Sequence, residues 1–238
     1  ATRLYPLTLD RPKALLPVGG KPILNHIVEK LERSDDIECM FLVTNAKFVR
    51  QFSEWAANRQ FARPMRVLND GTASNETRLG AIGDVQFVLG HGAVRSEEGV
   101  FVLGTDNLAR FDITEIVRLA WARKASAVFA ACMDDLERLR RMGVAVLDET
   151  GRITEFEEKP QHPKTRYAVP PFYAYSPEAV GLVGAYLHEG NNPDAPGHFI
   201  EWLIHRSPVY ACVTDQSVYD IGTLEAYHAV CRRYERET

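Results

Sequence analysis

Positively charged side chains stand in the loop that opens the sequence, and they are suited to binding phosphate. Residues 2–22 form a long stretch interrupted by prolines, and it carries Arg3, Arg11 and Lys13. Long loops in compact domains are usually functional, and fixed cations stabilise the charge on transferred phosphoryl groups. A solvent-exposed loop with hydrated cations fits the same spacing, so the pattern alone leaves both interpretations open.

Aspartates follow apolar strand segments at two distant places in the sequence. The apolar run Val100–Leu103 leads into Gly104-Thr105-Asp106-Asn107, and Asp220 follows Val218-Tyr219. Open α/β sheets bind their ligands at the carboxyl ends of strands, which is where these carboxylates are expected. A lone aspartate at such a place more often caps a helix or closes a turn.

A charged segment and a polar loop complete the set of candidates. Within residues 153–160, Glu155, Glu157 and Lys159 alternate along one strand face, and Glu158 points away. A charged strand at the edge of a sheet has the same pattern. The polar loop before Gly80 opens a helix of small residues, and an ordinary turn with a helix cap explains it equally well.

Hydrophobic periodicity predicts alternating helices and strands in the first half of the chain. Apolar residues at helical spacing predict helices, and short continuous apolar runs predict strands covered on both faces. The predicted order is helix at about 22–34, strand at 37–44, helix around 48–56, strand near 65–68, helix near 80–89, strand at 100–103, helix at 114–124 and strand at 125–132.

The pattern changes from residue 143 onward. Segments 143–147 and 153–156 flank Asp148-Glu149-Thr150-Gly151, which predicts an antiparallel hairpin. The remaining predicted elements are strands at 168–175, 209–213 and 217–221 and helices at 177–188, 199–205 and 223–233.

These elements predict an α/β fold with one layered sheet. We expect a mostly parallel, doubly wound (Rossmann-like) sheet with helices on both faces and a small antiparallel addition. No internal repeat, low-complexity tract or linker interrupts the chain, so residues 1–238 are expected to form a single domain with a change of character near residue 141.

Composition removes several classes of function. The 238 residues carry 28 Lys+Arg and 32 Asp+Glu, a net charge of −4, so a nucleic-acid partner is not expected. No apolar run approaches the length of a membrane span and no secretory leader is visible, so we expect no membrane partner and a cytoplasmic location. The four cysteines are far apart, and neither disulfides nor a zinc site is expected.

The opening loop resembles the signature of the sugar-phosphate nucleotidylyltransferases, the NDP-sugar pyrophosphorylases of the glucose-1-phosphate thymidylyltransferase type. The family signature reads T-R-L-x-P-L-T and then P-K-x-L-L-P-V-x-G-K-P, and residues 2–22 fill nearly every position. The resemblance extends from Thr2 to the terminal helix. It implies an enzyme that joins a nucleoside triphosphate to a sugar 1-phosphate, forms an NDP-sugar and releases pyrophosphate, with Mg²⁺ as cofactor.

The resemblance also implies which residues bind the nucleotide. Arg3 and Lys13 match positions that contact the nucleotide phosphates, and they are the catalytic cations. Thr2 and Asp106 are also expected to bind the nucleotide. Gly80 begins the counterpart of a family G-L-A segment near the base. The glutamine that precedes this segment in many relatives is not evident, so the nucleobase stays open.

The metal and the sugar phosphate have their own matching residues. Asp106 matches the family's G-D-N segment and Asp220 matches W-x-D-I-G-T, which implies that both bind Mg²⁺. Glu158 and Lys159 match F-x-E-K-P, where the glutamate holds sugar hydroxyls and the lysine binds the sugar phosphate. Gly143 matches x-G-V, where backbone groups face the sugar.

The sequence departs from the family pattern at two places. It begins at Ala1, where the family has a first strand and a glycine-rich turn, so we expect such a segment upstream in the natural protein. Pro170 and Pro171 stand where the family commonly has T-G, and proline has no N–H to donate to a sugar hydroxyl. The identity of the sugar therefore stays open.

The resemblance divides the chain by substrate and leaves two alternatives. Residues 1–141 would be mainly the nucleotide-binding core, and residues 142–238 mainly the sugar-phosphate-binding part and closing elements. One alternative is nucleotidyl transfer to another phosphorylated alcohol such as phosphocholine, although no cage for a quaternary ammonium is visible. The other is a non-catalytic nucleotide-sugar binding module. A homo-oligomer is compatible with the resemblance.

Overall fold

The computed structural model describes residues 2–74, 76–92, 94–216 and 218–236. Its helices are α1 (Ile23–Leu31), α2 (Val49–Ala57), α3 (Ala81–Gly90), α4 (Glu115–Arg123), α5 (Leu136–Leu139), α6 (Pro177–His188), α7 (Pro196–Leu203) and α8 (Leu224–Glu235). Its strands are β1 (Pro17–Val18), β2 (Lys21–Pro22), β3 (Met40–Thr44), β4 (Met65–Asn69), β5 (Val100–Leu103), β6 (Asn107–Ala109), β7 (Ser126–Cys132), β8 (Gly143–Leu147), β9 (Ile153–Glu158), β10 (Tyr167–Val169), β11 (Phe172–Tyr175), β12 (Val209–Thr214) and β13 (Val218–Asp220).

The chain forms two compact units, each assembled from segments that are distant in sequence. Unit 1 comprises Ala1–Ala73, Gly104–Thr114 and Ser217–Thr238, and unit 2 comprises Ser74–Leu103 and Glu115–Gln216. None of these borders lies near residue 141, where the sequence predicts a change of character. The single-domain description stays a prediction.

Unit 1 contains the parallel strands β3 and β4 and the opening loop. The two strands pair from Met40 opposite Met65 to Thr44 opposite Asn69, as expected for strands joined by a crossover helix such as α2. The apolar face of α1 supplies much of the buried interior through Ile23, Leu24, Ile27, Val28 and Leu31. Helix α8 is tied to β1 because Oη of Tyr227 donates to the carbonyl oxygen of Pro17 at 2.7 Å.

Unit 2 is built around a seven-stranded sheet that is mostly antiparallel. Its strand order is β5-β11-β7-β10-β8-β9, with every neighbouring pair in that path antiparallel, and β12 pairs with β7 in parallel. Helices α3, α6 and α7 contribute to its apolar core, which includes Val128, Tyr175, Val183 and Phe199.

The expected mostly parallel, doubly wound sheet is not confirmed, and the reason lies in residues 167–175. The sequence predicts one strand there, but two consecutive prolines, Pro170 and Pro171, separate β10 from β11, because proline cannot donate to a strand ladder. Strand β11 lies between β5 and β7 and runs antiparallel to both. Strands β5 and β7 therefore do run in the same direction, as the helix-linked pattern requires, but a return strand separates them.

The predicted hairpin is confirmed in unit 2. Strands β8 and β9 pair antiparallel, with Gly143 opposite Glu158 and Ala145 opposite Phe156.

Among the helices within the described ranges, none has the length and apolar character needed to cross a bilayer.

Candidate active site

Buried residues on both sides of Lys13 anchor the opening loop and hold Lys13 in place. Every second residue from position 12 to position 18 is buried, and Lys13 begins a short 3-10 turn between two of them. The hairpin of β1 and β2 closes the segment, with φ of +55° at Gly19 and +79° at Gly20. A two-residue hairpin turn with positive φ at both positions favours glycine, which explains the Gly-Gly pair.

Lys13 is in direct contact with Asp106, as an ion pair within unit 1. Its Nζ donates to Oδ2 of Asp106 at 2.9 Å, and Nδ2 of Asn107 donates to Oδ1 of Asp106 at 2.7 Å. The Lys13 side chain is 15% exposed and that of Asp106 is 42% exposed. The structure thus brings together two predicted site residues from separate motifs, and Lys13 compensates the charge of Asp106.

Asp220 lies close to this pair through the β6·β13 ladder. It stands opposite Asn107, and the backbone N–H of Ile221 donates to the carbonyl oxygen of Asp106 at 2.9 Å. A methyl group on Gly222 would stand 3.1 Å from Oδ2 of Asp220, so glycine leaves room beside this exposed carboxylate. The two aspartates therefore occupy neighbouring positions of one strand pair.

The donor set of these aspartates fits a hard divalent cation that also binds phosphate. Mg²⁺ uses one or two carboxylates, and phosphate oxygens and waters complete its shell. Within the described ranges, no group of three or more His, Cys, Asp and Glu side chains could hold a metal by itself. Asp106 and Asp220 match the two-carboxylate type of site.

Two further predicted nucleotide-binding residues, Thr2 and Arg3, lie at the start of unit 1. Arg3 is exposed in the 3-10 turn Thr2–Leu4, and Leu4 anchors that turn in the interior with 1% exposure. The side chain of Thr2 lies outside the part of the structure that is described.

Gly80 has a structural role in unit 2. Its φ is +80°, and a Cβ there would stand 2.7 Å from the backbone carbonyl of Pro193. The backbone N–H of Ile82 donates to that same carbonyl oxygen at 2.9 Å. Arg78 donates to the two carboxylate oxygens of Asp194 through its Nε and Nη2 atoms. Gly80 is thus required where the loop before α3 packs on residues 193–194; its role at the base stays a prediction.

Glu158 is nearly enclosed at the end of β9. Its side chain is 8% exposed, and a methyl group on its strand partner Gly143 would overlap the ring of Phe156 and stand 3.2 Å from Oε2 of Glu158. Burial and the negative charge of Glu158 both raise the pKa of the Tyr173 phenol, with burial the larger cause. The β8·β9 pairing thus brings together Gly143 and Glu158, which come from two separate predicted sugar-binding motifs.

Lys159 leaves the strand in a backbone conformation that is uncommon for its type. Its φ is +54°, and non-glycine residues in the left-handed region cost about 1 kcal/mol or more and cluster at functional sites. The backbone N–H of Lys159 donates to the carbonyl oxygen of Met142 at 3.1 Å. The side chain is 59% exposed, and its Nζ lies 3.5 Å from Oε1 of Glu158.

Comparison with known proteins identifies the family. The family model described as nucleotidyl transferase matches residues 1–237. The chain belongs to the nucleotidyl transferase family. Among its relatives, a glucose-1-phosphate thymidylyltransferase of Xanthomonas campestris pv. campestris (strain B100) is 30% identical over 191 residues, covering 77% of this chain and 59% of the relative. A UTP–glucose-1-phosphate uridylyltransferase of Haloferax volcanii is 28% identical over 176 residues, covering 74% of this chain and 68% of the relative.

Solved structures of family members share the fold. A UDP-glucose pyrophosphorylase complexed with UDP-glucose has a TM-score of 0.81 at 19% identity, covering 100% of this chain and 95% of that one. A UTP-bound UGPase from Acinetobacter baumannii has a TM-score of 0.76 at 16% identity, covering 100% and 90%. At these identities the likeness establishes the α/β fold. The chain spans about 59% of the length of the thymidylyltransferase it matches.

Several site neighbours are not predicted by the sequence analysis. Asn107 stands next to the predicted aspartate, and its amide could have been proposed as a donor from the Asp-Asn dipeptide alone. Gly222 follows Asp220 two residues later in the W-x-D-I-G-T match, so its place beside that carboxylate could also have been predicted. The electrostatic effect of Glu158 on Tyr173 depends on the order of strands in the sheet, and no local pattern indicates it.

Proposed function

We propose that this chain transfers a nucleotidyl group from a nucleoside triphosphate to a sugar 1-phosphate. The observation that supports this most is the ion pair between Lys13 and Asp106, with Asp220 close by on β13. The nucleotidyl transferase family model matches residues 1–237, which include all three residues. The named relatives and their printed substrates give the class of reaction.

In this reaction an oxygen of the sugar phosphate attacks the α-phosphorus of the triphosphate. A new P–O bond forms, the bond from the α-phosphorus to the bridging oxygen breaks, and pyrophosphate leaves with that electron pair. The attacking phosphate oxygen is already anionic at neutral pH, so no protein base has to remove a proton. Catalysis then consists of positioning and charge stabilisation.

In this proposal the residues of unit 1 act on the triphosphate. In unit 1, Arg3 and Lys13 stabilise the negative charge on the triphosphate and on the departing pyrophosphate, with Thr2 beside them. Asp106 and Asp220 would hold Mg²⁺, which supplies further positive charge to the phosphates when bound. With Mg²⁺ bound at that carboxylate, Lys13 would be available to bind phosphate.

In unit 2 the sugar phosphate is bound by the segment around the β8·β9 pair. Lys159, exposed and set by its left-handed backbone, binds the phosphate, and Glu158 accepts hydrogen bonds from sugar hydroxyls. Gly143 brings backbone groups close to the sugar. Gly80 is proposed to shape the loop near the base.

The test is a matrix of reactions with each common nucleoside triphosphate, a panel of sugar 1-phosphates and Mg²⁺. We expect pyrophosphate and an NDP-sugar from at least one pair, and a large loss of both with Lys13→Met. Product from phosphocholine instead would favour the first alternative. Binding of nucleotide sugar by calorimetry with no turnover of any pair would favour the non-catalytic module and contradict the proposal.

A further inference from the structure

The carboxylate of Glu158 is enclosed by glycines from two different elements. Gly143 faces it from β8, and Gly197 faces it from the first turn of α7. A methyl group on Gly197 would overlap Oε2 of Glu158 and stand 2.8 Å from its Cδ. A carboxylate cannot share this space with a Cβ, so Oε2 occupies the place that the absent side chain of Gly197 leaves.

The start of α7 is also electrostatically suited to a carboxylate. Gly197 is buried and follows Pro196, the first residue of the helix. The helix dipole places partial positive charge at this end. In this turn Pro196 has no N–H, and the N–H of His198 donates to the carbonyl oxygen of Ala195 at 3.1 Å. Helix α7 packs against β9, the strand that Glu158 ends.

We infer that Gly197 is a positioning residue for the sugar-phosphate site and sets the orientation of Glu158. This inference rests on the proposed function. With Oε2 fixed against Gly197, Oε1 is the oxygen that stands 3.5 Å from Nζ of Lys159. By fixing the Glu158 carboxylate, Gly197 orients the group that accepts hydrogen bonds from the sugar. The same carboxylate is the ion-pair partner of Lys159, which binds the sugar phosphate.

The test compares Gly197→Ala with Gly181→Ala. Gly181 is a matched control because it lies exposed in helix α6, where a methyl group would meet nothing within 4 Å. We expect Gly197→Ala to raise KM for the sugar 1-phosphate about tenfold or more, as expected when one fixed hydrogen-bonding group is displaced, and to leave KM for the triphosphate within about twofold. Gly181→Ala should leave both KM values unchanged.

A double-mutant cycle with Glu158→Ala tests the same contact without any activity measurement. Overpacking by one methyl group should lower Tm of Gly197→Ala by several degrees, roughly 2 to 10 °C. In the Glu158→Ala background the carboxylate is gone and only the ring of Phe156 stays close, at 3.3 Å from the added methyl group. Adding Gly197→Ala should therefore lower Tm by much less there than in the wild-type background.

The outcomes separate this inference from the proposed function. An inactive wild-type enzyme would contradict the proposed function, and the melting cycle would still decide the contact. Wild-type KM for the sugar phosphate in a folded Gly197→Ala variant would overturn the inference, as would an equal rise of both KM values. A loss of Tm that is equally large in the Glu158→Ala background, or a failure to fold that persists there, would overturn it too.

Discussion

The hydroxyl group of Tyr175 is the clearest place where the core of unit 2 is imperfect. The residue is 2% exposed, and its Oη has no hydrogen-bond partner among the residues that the structure describes. A buried hydroxyl without a partner costs about 1–3 kcal/mol. Tyr175→Phe removes the hydroxyl and retains the ring, which packs edge-on against Phe199 at 5.1 Å between centroids. We expect this variant to be more stable than wild type by about 1 kcal/mol.

Tyr186→Phe is the matched control in the same core. Oη of Tyr186 donates to the carbonyl oxygen of Asn192 at 2.6 Å, and its ring also packs against Phe199 at 5.1 Å. Loss of this bond should destabilise the protein by about 1 kcal/mol. The two Tyr-to-Phe variants should therefore differ by roughly 2 kcal/mol, or about 4–8 °C in Tm for a chain of this size.

Urea unfolding and thermal melting at neutral pH measure this difference. An alkaline series adds a check, because burial raises the pKa of Tyr186 to about 12. An unfolded tyrosine titrates near 10, so this contribution to stability is present below about pH 10 and is lost as the pH rises to about 12. Tyr186→Phe should not show it. The reasoning is refuted if Tyr175→Phe is destabilised as much as Tyr186→Phe.

Two further predictions concern the candidate active site, and a third concerns the pH dependence of stability in unit 1. Lys13→Met should lower kcat by roughly 10²–10³-fold, whereas Lys159→Met should mainly raise KM for the sugar phosphate. Initial rates measured with each substrate varied in turn distinguish the two effects, and the same kinetic defect in both variants would contradict the assignment. Asp106→Asn and Asp220→Asn should each raise the Mg²⁺ concentration needed for half-maximal rate, and an unchanged Mg²⁺ titration would contradict their proposed role. Burial lowers the pKa of His26, so stability should fall as the pH drops below about 6.5; His26→Gln should flatten this dependence in melting curves, and an unchanged slope would contradict it.

The sequence was most informative where local patterns and motifs agreed. Lys13 and Asp106 come from motifs 93 residues apart, and the structure places their charged atoms 2.9 Å apart. Strand β5 lies at its predicted residues, and α6 spans its predicted range. Such elements are predictable because a long periodic pattern or a short apolar run between turn residues determines them locally.

Features that depend on packing between distant segments were not predictable. The place of β11 between β5 and β7 follows from strand pairing, which one strand's own residues do not encode. Gly197 gives no local signal beyond a glycine near a helix start, and its importance follows from the contact of α7 with Glu158. Lys159 has a left-handed backbone that its residue type does not favour, so only the structure reveals it.

The fate of the two ends of the triphosphate tests the central claim most directly. The protein is given a sugar 1-phosphate and a triphosphate that carries radioactive phosphorus either at the α position or at the γ position. We predict that the α label appears in the NDP-sugar and that the γ label appears in pyrophosphate, because the sugar phosphate attacks the α-phosphorus. Label from the γ position in the sugar product, or no labelled NDP-sugar with any triphosphate, would contradict nucleotidyl transfer by this chain.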